Sequence, residues 1–210
     1  MQAFQTFTAV AAPLLRDNID TDTIIPSSEI RSVGKTGLKA GLFAHWRYRS
    51  VQSREPNPDF ILNQAPYAQA RILLTGANFG CGSSREHAVW ALQEYGIGAI
   101  LAPGFAPIFF GNCVSNGVLA ASLGRDALQA LAAALASDPQ ANPLTLDLER
   151  SEVSAGAIGC VSFTIDADAR LQLLAGLDAI DLTLRLSADI EAFETRDRVR
   201  RPWVYLDRPR

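Results

Sequence analysis

Arg71-Ile72-Leu73-Leu74-Thr75-Gly76-Ala77-Asn78-Phe79-Gly80-Cys81-Gly82-Ser83-Ser84-Arg85-Glu86-His87-Ala88 is the stretch on which the reading of this chain turns. An apolar run of strand character, residues 71–75, gives way to a loop with three glycines and then to a helix-like segment reaching Tyr95. The glycines let the backbone come close to a ligand. The two serines and the arginine are expected on the first helical turn, where free N–H groups and the positive dipole end favour an anion. A hydroxyl placed there, with a guanidinium beside it, is suited to forming an alkoxide.

A plainer reading competes with this one. Ser83-x-x-Glu86 fits a capping box, in which Ser83 only satisfies the helix terminus. Nucleotide motifs do not fit: a Walker A loop needs Gly-Lys-Ser/Thr, and the Rossmann fingerprint needs glycine where Arg85 stands. Nor is there a Gly-x-Ser-x-Gly elbow. What exceeds a plain cap is the density of Asn78, Cys81, Ser83, Ser84, Arg85 and His87 in one turn region.

Working outward, the elements alternate: strand 71–75, helix 84–95, strand 97–101, helix 105–114, strand 117–121, helix 125–136. That order predicts an α/β fold with a partly parallel sheet and crossover helices. Upstream, a strand is expected over 4–10, followed by an Asp-rich loop at 17–22 and a polar, Gly-containing loop at 31–37. Residues 48–58, with three charges and two prolines, read as an irregular excursion. Later strands are expected at 144–148 and 161–165, and a closing helix at 188–196.

Composition bounds the function. With 210 residues the chain is long enough for a sizeable core, and 48% hydrophobic content with a net charge of −3 describes a globular protein without a basic surplus. Residues 196–210 form an Arg-rich tail with six arginines. Trp203 and Tyr205 in it favour docking over a nucleic-acid arm. No membrane-spanning run or signal peptide is evident. The three cysteines, Cys81, Cys113 and Cys160, are odd in number and far apart, which argues against a disulfide framework and for a reducing cytoplasm. No metal site is expected within the chain, since no Cys-x-x-Cys or comparably close pair of thiolates occurs.

Asn78 through Ala88 resembles the signature of the aconitase swivelling-domain family, and more closely that of its bacterial 3-isopropylmalate dehydratase small subunits. Asn18-Ile19-Asp20-Thr21-Asp22-Thr23-Ile24-Ile25-Pro26 resembles the family's N-terminal motif. Further similar segments follow in order: Leu42-Phe43 with Trp46-Arg47-Tyr48, Pro56-Asn57-Pro58-Asp59-Phe60, Ala102-Pro103, Ile108-Phe109 with Gly111-Asn112, and Gly176 to Ile180. The likeness covers roughly residues 4–195, and the central motif is long enough to be specific.

The resemblance implies a three-layer swivelling domain over residues 1–195, and a hydro-lyase acting on a small hydroxy-dicarboxylate. It implies an obligate large subunit that holds the [4Fe–4S] cluster, in a heterodimer or higher assembly. Carried across by position, Ser83 is the base, Arg85 stabilises its alkoxide and holds a substrate carboxylate, and Ser84 donates to that carboxylate. Asp22 orients Arg85 or His87. Asp20 either serves the site or caps its loop through an Asx turn. His87 is either a partner of an acidic group or structural, and His45 is expected to be structural. The loop between the Asp motif and Leu42 senses the substrate's side group, with Ile30, Val33 and Lys35 as its contacts.

The chain departs from the family pattern in places. Glu29 stands where bulkier apolar residues are usual, and Lys35 where arginine is usual. Ala175, Asp181 and Val89 replace a common asparagine, glycine and proline. Glu29 therefore either turns away from the pocket or marks a smaller substrate, of the 2-methylmalate/citraconate type. A binding module without catalysis would be expected to lose Ser83 or Arg85, and both are present.

Overall fold

The computed structural model describes residues 1–30 and 34–205. In chain order the strands and α-helices are β1 (Phe7–Ala9), β2 (Ala11–Leu14), α1 (Thr21–Ile24), α2 (Ala44–Arg47), β3 (Ile72–Thr75), α3 (Glu86–Tyr95), β4 (Ala99–Ala102), α4 (Pro107–Ser115), β5 (Leu119–Ser122) and α5 (Arg125–Leu135). Then come β6 (Leu144–Asp147), β7 (Glu152–Ala155), β8 (Gly159–Ser162), α6 (Ala167–Ala175), α7 (Ala179–Leu184) and α8 (Ser187–Arg200).

Two four-stranded sheets organise them. One is parallel, in the order β2-β3-β4-β5, and the other antiparallel, in the order β1-β6-β7-β8. The inner parallel strands are short apolar runs, Ile72-Leu73-Leu74 and Ala99-Ile100-Leu101-Ala102, buried along their whole length, as expected of a sheet covered on both faces. Alternate residues go to opposite sides. Leu73, Ile100 and Ala120 join a core with α3, α4 and Phe79. Ile72, Leu74, Ala99, Leu101 and Leu119 join a second core with α5 and the antiparallel sheet. Each fully buried Leu or Ile contributes roughly 1.5–3 kcal/mol, so the sheet is tied to both neighbouring layers. This is the partly parallel α/β architecture that the alternation predicts.

The differences are local. The N-terminal segment expected as one strand over 4–10 divides into β1, in the antiparallel sheet, and β2, on the edge of the parallel one. The Asp-rich loop expected at 17–22 already contains the start of α1. Strand β7 and helices α6 and α7 were not expected, and the strand expected at 161–165 lies at 159–162. The closing helix runs to Arg200, so the division expected between residues 195 and 196 falls inside α8. On α8 only Asp197 is buried, held by Arg201 and Tyr205. Ile180, Phe193, Val199 and Trp203 are more than half exposed. No helix among the described residues is long and apolar enough to cross a membrane.

The one difference that bears on function is where α3 begins. It starts at Glu86, its N-cap is Arg85, and no side chain caps it. Ser83 and Ser84 therefore precede the helix rather than forming its first turn, and the capping-box expectation is overturned. The physical reason is the loop's backbone. Gly80 and Gly82 take left-handed φ of +76° and +89°, and Arg85 is extended, which keeps the chain out of helical geometry until Glu86.

Candidate active site

The Ser83 loop is built by backbone hydrogen bonds to the Asp-rich segment. Asn18 N–H donates to Ala77 (2.9 Å), Gly80 N–H to Ile19 (2.7 Å) and Thr21 N–H to Cys81 (2.9 Å). Phe79 N–H donates to Gly104, and Ala106 N–H to Phe79, which joins the loop to the start of α4. Gly80 is needed twice over. Its φ is positive, and a Cβ there would lie 2.1 Å from the ring of Phe109, itself packed edge-on against Phe79.

This frame leaves a cleft of about 190 Å³ lined by Thr21, Gly80, Gly82, Ser83, Ser84, Arg85 and residues 106–109 and 112. The start of α4 closes one side, and α4 also lacks a side-chain cap. Its leading N–H groups and those of α3 give both rims a positive end. Thr21 Oγ1 donates to the Ser83 carbonyl (2.8 Å) and so fixes the Ser83 backbone. The Ser83 side chain is exposed, and its hydroxyl has no hydrogen-bond partner among the described residues. Nη1 of Arg85 donates to Asp22 Oδ1, an ion pair that sets the plane of the guanidinium. The remaining donors of Arg85 are left for an anion.

Ser83, Ser84, Arg85 and Asp22 are thus brought together. Asp20 serves as the N-cap of α1, accepting from Thr23 N–H (2.6 Å), and it also lines an adjoining cavity of about 260 Å³ with Asp22, Ser27, Ser28 and His45. His87 stands apart from the cleft: its ring meets Trp90 edge-on at 4.8 Å, and its Nε2 is buried without a partner among the described residues. Lys35 donates to Asn116 Oδ1 (3.3 Å) and lies over the Trp90 ring. Ile30 packs against the core shared with α3. Val33 lies outside the described residues.

Glu29 turns away from the Ser83 cleft, but into the protein and not out to solvent. Its carboxylate turns inward, is buried, and pairs with Arg54, whose guanidinium lies over the Tyr48 ring. The residues not anticipated for the site are Thr21 and the start of α4, Ala106 to Phe109 with Asn112. Pro107 at the first helical position was the available signal. His45, expected to be structural, is exposed and lines two cavities.

A family model of the aconitase C-terminal domain matches residues 1–125, and a model of the C-terminal domain of the 3-isopropylmalate dehydratase small subunit matches residues 180–206. The chain is 53% identical over 207 residues to the 3-isopropylmalate dehydratase small subunit of Cupriavidus necator, covering 99% of this chain and 100% of that one. The chain belongs to the 3-isopropylmalate dehydratase small subunit family. Small subunits from Magnetococcus marinus and Rhodospirillum centenum are 44% and 45% identical, covering 99% and 97% of this chain and 100% and 99% of theirs. The solved 3-isopropylmalate dehydratase structure from Methanocaldococcus jannaschii has the same fold, with a TM-score of 0.64 at 24% identity over 90% of this chain and 99% of that one. As a member of this small-subunit family, the chain is part of a hydro-lyase.

The cysteines do not fit a cluster. Cys81 lies in the serine loop, Cys113 is buried in α4 with its thiol pushed far up by burial, and Cys160 is exposed on β8 in the other sheet. Among the described residues no group of three or more His, Cys, Asp or Glu converges as a metal site.

Proposed function

We propose that this chain, paired with a large subunit, interconverts 2-isopropylmalate and 3-isopropylmalate by dehydration and rehydration in leucine biosynthesis, with Ser83 as the base. The observation that carries the reading is the Ser83 hydroxyl. It is exposed, does not cap a helix, and sits beside Arg85 between two helix N-termini that lack side-chain caps. Such surroundings stabilise an alkoxide, the form of serine basic enough to take a carbon-bound proton. The names of the relatives support the substrate and the existence of a larger partner. A [4Fe–4S] cluster, for which this chain has no ligand set, belongs in this reading to the large subunit.

The chain's own part is proton transfer and carboxylate binding. The Ser83 alkoxide removes the proton α to a substrate carboxylate, and the C–H electron pair becomes the new double bond as hydroxide leaves the neighbouring carbon. Departure of that hydroxide is not a task for this chain's residues. Rehydration reverses the step with the hydroxyl placed on the other carbon, and Ser83 returns the proton. Arg85, oriented by Asp22, holds the carboxylate with its free donors, and the Ser84 hydroxyl adds another. The apolar side group meets the loop between the Asp motif and Leu42, with Ile108, which is 60% exposed and lines the cleft, on its other side.

The inward turn of Glu29 supports isopropylmalate over the citraconate-type alternative, because it removes an unpaired carboxylate from the pocket. The deciding experiment is kcat/KM of the reconstituted two-subunit enzyme for 3-isopropylmalate against citraconate. Isopropylmalate is expected to be preferred. A preference of about a hundredfold for citraconate, on the scale that such pockets allow, would overturn the substrate while sparing the Ser83 chemistry.

A further inference from the structure

The strap of residues 34–39, which leads from the side-group loop toward α2, lies along α3 and is held there by two side chains outside the cleft. Glu94, on the last turn of α3, accepts three consecutive backbone N–H groups, from Gly37 (2.8 Å), Leu38 (2.6 Å) and Lys39 (2.9 Å). Those donors, that of Gly37 foremost, hold the Glu94 carboxyl below the ordinary carboxylate range. Asn116, at the C-cap of α4, uses every position of its amide. Its Oδ1 accepts from Trp90 Nε1 (3.1 Å) and Lys35 Nζ (3.3 Å), and its Nδ2 donates to Glu86 Oε1 (2.7 Å) and to the Asn112 carbonyl (2.9 Å). Its backbone carbonyl accepts from Gln93.

Both residues thus link the strap to a single helix. Glu86 is the first residue of α3, next to Arg85, while Trp90, Gln93 and Glu94 follow along it. Lys35, which the sequence suggests as a carboxylate ligand, is bound to this network, with its ammonium 5.1 Å from the centre of the Trp90 ring. Neither Glu94 nor Asn116 lines the Ser83 cleft.

We infer that Glu94 and Asn116 are positioning residues: they lock the strap of residues 34–39 to α3, so that the segment facing the substrate's side group and the loop carrying Ser83 and Arg85 keep one fixed relation. The inference rests on the reading of the preceding subsection for what the two segments do. A lock of this kind acts on binding and discrimination, because loosening the strap leaves Ser83, Arg85 and their helix ends in place. A residue that merely stabilised the fold would lower the amount of active enzyme, not its KM.

The test uses the full chain and the reconstituted two-subunit enzyme. Glu94→Ala is expected to raise KM for 3-isopropylmalate about tenfold with kcat within about twofold, the scale of lost hydrogen bonds to a charged group. Preference over citraconate should fall by a similar factor. Glu94→Gln should recover part of the loss, since its one amide oxygen can still accept from Leu38 and Lys39 while its NH2 cannot accept from Gly37. Asn116→Asp should resemble Asn116→Ala: it keeps the acceptor for Lys35 but loses the donor to Glu86 and places two carboxylates together. In the full chain without turnover, hydrogen exchange at amides 37–39 should accelerate at least about tenfold in Glu94→Ala while that of α3 stays unchanged. Unchanged exchange would overturn the lock. Accelerated exchange with unaltered KM and preference would overturn its role in positioning, as would a loss confined to kcat. If the wild-type complex turned over neither substrate, the functional reading would fail separately, and the exchange result would still decide whether Glu94 holds the strap.

Discussion

The serine loop at residues 76–85 and the side-group segment, described at residues 27–30 and 34–39, are held by different kinds of bond. The first is joined to residues 18–21 and 104–106 mainly through backbone N–H and C=O groups, with Gly80 seated on Phe109. The second is held by side chains: Glu29 on Arg54, Glu94 on three amides, and Lys35 on Asn116. A backbone-built loop keeps its shape whatever polar side chains it carries, which suits groups that must be placed to a fraction of an ångström. A side-chain-built segment can be re-tuned one residue at a time, which suits the choice of substrate.

The comparison can be broken most severely at Gly80. Gly80→Ala combines left-handed backbone strain with a Cβ driven into the Phe109 ring, and should cost about 4 kcal/mol of stability in urea unfolding. A cost below about 1 kcal/mol would mean that the loop yields easily and the backbone frame is not rigid.

In the side-group segment the larger effect should come from Arg54, not Glu29. Arg54→Ala strands a carboxylate that is only 5% exposed, for about 3 kcal/mol. Glu29→Gln leaves a guanidinium that is 32% exposed and can turn to water, for about 1 kcal/mol. Equal costs would show that the pair is solvated and that Glu29 does not anchor this segment.

Acid should loosen both regions. The Arg125 guanidinium, with the Ala77 N–H, holds the Asp17 carboxyl below its ordinary range, as the strap amides do for Glu94. Folded values lowered in this way contribute stability that is complete above the ordinary carboxylate range and is lost as pH falls through the folded values. The urea midpoint should therefore drop below about pH 4, and less steeply in the Asp17→Asn, Glu94→Gln double variant. Identical slopes for the two proteins would contradict these assignments.

Most of the fold was legible in the sequence, and the exceptions have physical reasons. The alternation from β3 to α5 was readable because each strand is a short apolar run bounded by Gly or Pro. β2 was not, because Ala11-Ala12-Pro13-Leu14 lacks β-branched residues and carries a proline. Proline is tolerated there because β2 is an edge strand. The grouping of Ser83, Ser84 and Arg85 with Asp22 followed from the family resemblance. The start of α3 did not, because Ser83-x-x-Glu86 has the pattern of a capping box, which the left-handed glycines and the extended Arg85 keep from forming. The surroundings of Glu29 and Lys35 were out of reach, since their partners Arg54 and Asn116 lie 25 and 81 residues away.

The smallest expected effect on the fold belongs to the residue with the largest expected effect on the chemistry. Ser83→Ala removes a hydroxyl that neither caps α3 nor bonds to any described residue, so its unfolding midpoint should match the wild type. The most direct test of Ser83 as the base is kcat of this variant in the two-subunit enzyme, read beside that midpoint and beside Ser84→Ala. The expected result is a loss of about three orders of magnitude or more in kcat, with KM little changed and stability intact. Near-normal turnover in Ser83→Ala with a lowered midpoint would return Ser83 to the role of a helix cap, and near-normal turnover with the loss appearing in Ser84→Ala would move the base to the neighbouring serine.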